Sequence, residues 1–83
     1  MGSGKRRRPE RLAEKLLQIR ESLGLSQNGM LSKLGLSEEQ DRNSISNFER
    51  GFREPDLLVL LAYAHVANVH LEVLVDDSLD LPS

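Results

Sequence analysis

"LSQNGMLSKLGLSEEQDRNSISNFERG", residues 25–51, holds two short apolar-periodic stretches divided by a polar turn. The first opens at Ser26, whose hydroxyl suits a helix N-cap, and carries Met30, Leu31 and Leu34 before Gly35-Leu36 closes it. Gly29 inside it costs about 1 kcal/mol against alanine, which weakens this helix on its own. The second opens at Asp41, a further capping residue, turns Ile45 and Phe48 inward, and stops at Gly51. Between them, "SEEQD" (37–41) reads as an extended turn or as one helical turn capped by Ser37. The second helix leaves only small polar groups (Ser44, Ser46, Asn47) between its apolar anchors.

Working outward, Leu12, Leu16, Ile19 and Leu23 recur at helical spacing behind Pro9, which suits a first helical position. Gly24 stops that helix as a left-handed cap, with Leu25 as its apolar follower. Downstream, Pro55 forces Glu54 out of helical geometry. Asp56 then caps a fourth helix through Ala67, with Leu57, Leu60, Leu61 and Ala64 expected to face the core and Asn68 as its stop. A short fifth helix or an extended end follows from about His70 to Val75, and no segment alternates with a period of two. The fold class is therefore all-α. Residues 1–8 read as a flexible basic N-terminal arm, 9–76 as the domain, and 77–83 as an acidic tail, loose unless Leu79 and Leu81 fasten it.

Composition narrows the function. The 83 residues fit one small domain with a thin core, and 39% hydrophobic with 29% charged residues is globular rather than disordered. There is no cysteine, hence no disulfide, zinc knuckle or thiol nucleophile, which favours a reducing, cytoplasmic setting. The longest apolar run, Leu57 to Ala62, is too short for a bilayer, and the basic N-terminus lacks the apolar stretch of a signal peptide. His65 and His70 are five apart, a poor spacing for a shared metal ion, and neither belongs to a nucleophile–base arrangement. No cofactor, metal or enzymatic activity is expected. The net charge of −2 hides a polarity: residues 1–20 sum to +5 and residues 54–83 to −6. Such a molecule attracts an anionic partner at one end, although two solvated tails have the same signature.

The polar helix answers to that charge. Two short helices across a glycine-bearing turn, the second lined with amides and hydroxyls, have what a helix needs in the DNA major groove. Asparagine and glutamine pair with adenine, serine accepts or donates at any base edge, and acids there repel phosphate. The rival reading of the same positions is an ordinary solvated helix face.

Four pieces in order carry a resemblance: Leu23-Gly24-Leu25-Ser26-Gln27, Leu34-Gly35-Leu36-Ser37, Ile45-Ser46-Asn47-Phe48-Glu49-Arg50-Gly51, and Arg53-Glu54-Pro55 before a leucine-rich helix. From about Arg11 to Val75 the chain resembles the phage-repressor (Cro and lambda-repressor-like) class of helix-turn-helix domains. The resemblance implies a compact five-helix bundle, a sequence-specific regulator of transcription that binds double-stranded DNA, most often a repressor acting as a homodimer on a palindromic site. By position it implies that Gln27 touches a phosphate or base from the second helix's N-terminus, where free N–H groups also attract phosphate. It places Arg42, Asn43, Ser44 and Asn47 at the groove and ties Arg20 to Glu49, so that an acid beside the groove is neutralised.

The basic run Arg6, Arg7 and Arg8 reads as an arm along the minor groove or phosphates, or as a free tail; Arg11 and Lys15 are expected at the DNA backbone. Three features depart from the family. Gly35 to Ile45 spans ten positions, lengthening the turn by about four residues and adding Glu38, Glu39 and Asp41 near the expected phosphate path. Leu31 stands where the family prefers alanine, consistent with wider spacing of the two helices. The fourth helix is apolar all round, and Leu58, Val59, Ala62 and Val66, beside or opposite its core stripe, read as a dimer or partner face. That face supports an alternative function, a protein-interaction module of antitoxin or adaptor type.

Overall fold

The computed structural model describes residues 8–82, so Arg6 and Arg7 lie outside the described residues. It contains five helices and, among the described residues, no strand: α1 (Leu12–Ser22), α2 (Gln27–Lys33), α3 (Arg42–Glu49), α4 (Leu57–Ala67) and α5 (Leu71–Val75). None is long and apolar enough to cross a membrane.

Each boundary has a local cause. Ser26, Asp41 and Asp56 cap α2, α3 and α4 by accepting from the N–H groups of Gly29 (2.9 Å), Asn43 (3.0 Å) and Val59 (2.9 Å). α1 and α2 end in the same way. Leu25 N–H donates to Arg20 O and Leu36 N–H to Leu31 O, around Gly24 (φ 69°) and Gly35 (φ 77°). That left-handed turn is cheapest without a Cβ. α4 stops at Asn68 (φ 58°), as its sequence position suggests.

The core collects Leu12, Leu16 and Ile19 from α1, Met30 and Leu31 from α2, Leu34 beyond it, Ile45 and Phe48 from α3, and Leu74 from α5. α4 adds Val59, Leu60, Tyr63 and Ala64. α4 is thus rotated from the orientation its leucines suggest. Leu57 and Leu61, expected inside, are 68% and 38% exposed, whereas Val59, expected on a partner face, is buried. Leu58 remains outside at 75%, and Ala62 and Val66 are half-buried against the core. The reason is Tyr63. Its ring is the largest fully buried side chain, and turning it inward carries Val59 and Leu60, one turn earlier, with it.

Helix α1 begins later than Pro9 suggests, and its entry is held from the far end of the chain. The Asp77 carboxylate accepts from the backbone N–H of Glu10 (2.9 Å) and of Arg11 (3.0 Å). Arg11 returns the contact, donating to Asp77 O (2.9 Å) and pairing with Asp80 (2.6 Å). Leu81 packs half-buried on the core. The C-terminal segment is therefore fastened rather than loose, and chiefly by its acids, because free N–H groups at a helix start and a nearby guanidinium favour carboxylates.

These bonds hold the Asp77 carboxyl below its ordinary value of 3.8, the Glu10 N–H contributing most and the Arg11 N–H next. A depressed carboxylate stabilises the folded state above its unfolded pKa and loses that contribution as pH falls through the folded value. Acidification below pH 3.8 is therefore expected to unhook this segment. In an NMR titration the Glu10 and Arg11 amide protons should shift together with a midpoint under 3.8, and a midpoint at or above that value would contradict the contact.

Candidate nucleic-acid interface

Helices α2 and α3 pack against each other, and α1 packs behind α3. Within α3, Ser44, Ile45 and Phe48 point inward. The opposite side carries Arg42 and Asn43, both exposed, with Ser46 and Asn47 half-buried at its base and Arg50 exposed at its end. The side chains of Arg42, Asn43, Ser46 and Asn47 make no hydrogen bond or ion pair among the described residues. Their polar groups are presented to solvent with nothing inside the domain to satisfy them.

The acid of this helix is tied back. Arg20 Nε donates to Glu49 Oε2 at 2.7 Å and Nη2 to Oε1 at 3.1 Å, while Nη1 donates to Leu25 O at 2.9 Å. The Glu49 side chain is only 6% exposed and that of Arg20 18%. One guanidinium thus joins α1, the α1–α2 turn and α3, and the Glu49 carboxylate is neutralised by a fork-to-fork pair. Beneath it lies Tyr63, whose phenol is pushed well above its ordinary pKa by burial, with the Glu49 charge second. It stays neutral, and its hydroxyl has no hydrogen-bond partner among the described residues.

The lengthened turn folds onto one carbonyl, Leu36 O, which accepts from the N–H groups of Glu39 and Gln40, both at 3.0 Å. Ser37 Oγ sits 3.2 Å from Ser32 Oγ and ties the turn to α2. Glu38 and Glu39 point to solvent, and Asp41 turns its carboxylate onto the start of α3. Between turn and helices runs a shallow cleft lined by Asn28, Leu31, Ser32, Ser37, Gln40, Asp41 and Arg42. Glu38 and Glu39 thus lie in the turn, before the outer row of α3 begins at Arg42.

Several residues read from sequence take other positions. Ser44 is buried, and its hydroxyl accepts from Arg53 Nη1 at 3.4 Å, because it shares the inward side of α3 with Ile45 and Phe48. Lys15 is fully buried, with Nζ donating to Val73 O (2.8 Å) and Asp76 O (2.9 Å), the free carbonyls at the end of α5. It is an internal clasp, not a contact for a DNA backbone. Arg11 is engaged by Asp77 and Asp80, and Arg8 pairs at the surface with Glu54 at 3.2 Å. Gln27 is half-buried at the first turn of α2.

The structure also adds residues. Ser46 and Arg50 continue the row that Arg42 begins, a spacing of four that marks one helix side. Arg53 lies 5.4 Å over the Phe48 ring and Arg50 5.8 Å over that of Phe52. The spacing of four could have identified the first pair; nothing in the sequence signals the ring contacts.

The family model described as helix-turn-helix matches residues 16–74, from mid-α1 to α5, well over half of the chain. No curated protein and no solved structure matches it. The matched residues include the capped α2, the glycine-stopped turn and the polar-backed α3. The chain belongs to the helix-turn-helix family of the Cro and phage-repressor type, a family of DNA-binding regulators.

Proposed function

We propose that the protein is a sequence-specific regulator that binds duplex DNA as a homodimer and represses transcription by occupying its site. One observation carries this reading: the outer row of α3 is polar or basic and makes no side-chain hydrogen bond or ion pair among the described residues, while Glu49 is tied back to Arg20 and Asp41 is turned onto the helix start as its cap. A helix of this kind exchanges water for base edges without leaving a charge uncompensated. Arg42, Asn43 and Asn47 read bases in this scheme, Ser46 accommodates either strand, and Gln27 and Arg50 hold the backbone. Arg6 and Arg7 belong to the same proposal through their charge.

The homodimer draws its support from Leu57, Leu58 and Leu61, neighbouring leucines on the outer side of α4. Full burial of an exposed leucine is worth roughly 1.5–3 kcal/mol, so a second copy covering Leu57 and Leu58, and to a lesser extent Leu61, recovers a large part of that at each.

Selection from a random duplex library tests both parts. The expected product is a palindrome whose half-sites lie about one helical turn apart. Asn47→Ala should then lose preference at one position of each half-site, costing about 1–3 kcal/mol there and nothing on random duplex. Equal weakening on both duplexes would remove Asn47 from base reading. A lone half-site bound by one copy would end the homodimer proposal and leave the leucines to a different protein. No enrichment would end the proposal altogether.

A further inference from the structure

The composition of the α3 row restricts which half-site it can read, and this inference rests on the proposed DNA binding. We infer that the target half-site presents two adenines about two base steps apart, with a guanine beside the first, and that the adenines are read through their purine edges rather than through thymine methyl groups.

The donors and acceptors are Asn43 and Asn47, four residues apart on the outer side of α3, with carboxamides that make no hydrogen bond among the described residues. A carboxamide offers one acceptor and a pair of donors, the complement of adenine N6–H and N7. Four residues of helix rise cover about 6 Å, and stacked bases are about 3.4 Å apart, so the two amides meet bases about two steps apart. Arg42 stands at the first helical position, adjoining Asn43, exposed and without an ion-pair partner among the described residues. Its fork matches guanine O6 and N7, which places guanine on the outer side of the first adenine.

What the row lacks is equally specific. Thymine is distinguished in the major groove by its C5-methyl group, which is read by apolar contact. The outer row of α3 consists of Arg42, Asn43, Ser46, Asn47 and Arg50, and the helix's apolar side chains, Ile45 and Phe48, are buried at 0% and 2% exposure. Ser44, the remaining small residue, is buried too. No apolar side chain of the α3 row is therefore placed to read a thymine methyl group.

The experiment uses the whole chain and the duplex obtained by selection, with base analogues placed one at a time. Replacing either of the two adenines by 7-deazaadenine removes N7 and should weaken binding at least about 5-fold and at most about 150-fold, the range of one bidentate contact. Replacing the paired thymines by uracil removes only the methyl groups and should change affinity by less than about twofold on the same scale. Asn43→Ala and Asn47→Ala should each abolish the effect of 7-deazaadenine at one position and leave it at the other. A motif without two adenines at this spacing overturns the inference while leaving DNA binding intact, as does a uracil effect equal to the deaza effect. Failure to bind any duplex overturns the functional proposal itself.

Discussion

Arg20→Ala is expected to lower stability by about 3–5 kcal/mol, the cost of leaving a mostly buried charge without its partner. Glu49 is 6% exposed, so water cannot replace the guanidinium, and Leu25 O loses its donor at the same time. A domain of this length has a total stability of about 4–12 kcal/mol, so the loss is a large share of it. Arg20→Lys should recover part, because an ammonium supplies charge but cannot fork between Glu49 and Leu25 O. Glu49→Gln, which removes the charge and keeps the shape, should cost less than Arg20→Ala. Urea midpoints at constant slope measure all three. Midpoints for Arg20→Ala within about 0.5 kcal/mol of the parent, the range of ordinary surface substitutions, would show the pair to be ornamental. The variant also bears on binding, since a bare carboxylate beside the polar row repels phosphate. Its loss of DNA affinity should exceed the part explained by unfolding.

Lys15→Ala should be comparably damaging, at about 3–5 kcal/mol, for a different reason. The ammonium makes two bonds to carbonyls at the end of α5, and its stem fills space between α1 and α5. Hydrogen bonds from a charged donor are worth about 1.5–3 kcal/mol each, and the truncated stem adds a cavity. Lys15→Met separates the two contributions by keeping most of the volume and losing the bonds; it should fall between Ala and the parent. A melting temperature lowered by about 4–8 °C per kcal/mol makes both differences easy to measure in a domain of this size. Because Lys15 is interior, folded Lys15→Met should keep the salt dependence of DNA binding. A slope reduced by about one phosphate contact would restore Lys15 to the interface and contradict its burial.

Much of the architecture was legible because its determinants are local. Ser26, Asp41 and Asp56 cap through their own side chains within three residues, and Gly24, Gly35 and Asn68 adopt left-handed geometry with little help from elsewhere. The stripes of α1 and α3 were readable for the same reason, since Leu12, Leu16 and Ile19, like Ile45 and Phe48, have polar residues on the other sides. Leu23 ended that stripe too optimistically: as the α1 C-cap it is 40% exposed.

Helix α4 had no such contrast. With "LLVLLAYAHVA" apolar on every side, periodicity cannot say which residues point inward: Leu60 and Ala64 lie in the core as expected, but Leu57 and Leu61 do not. The candidate site was read with the same mixed success. Asn43 and Asn47 lie on the outer side of α3, but Ser44 does not, because a serine is as acceptable beside Phe48 as in water. Arg11 and Lys15 look on paper like any two surface cations. Their partners, Asp77, Asp80 and the α5 carbonyls, stand about sixty residues away along the chain.

By itself, the sequence determined where α2, α3 and α4 start and stop, that the helices form an all-α helix-turn-helix domain, and that α3 has a polar back. Each of those follows from interactions spanning a single turn of chain. Tertiary structure alone decided how α4 is rotated, which leucines remain outside, and which cations are used up inside the domain. Those outcomes depend on fitting the Tyr63 ring and on satisfying buried charges and helix-end carbonyls. Such demands are met by whichever groups packing brings near, not by neighbours in the chain.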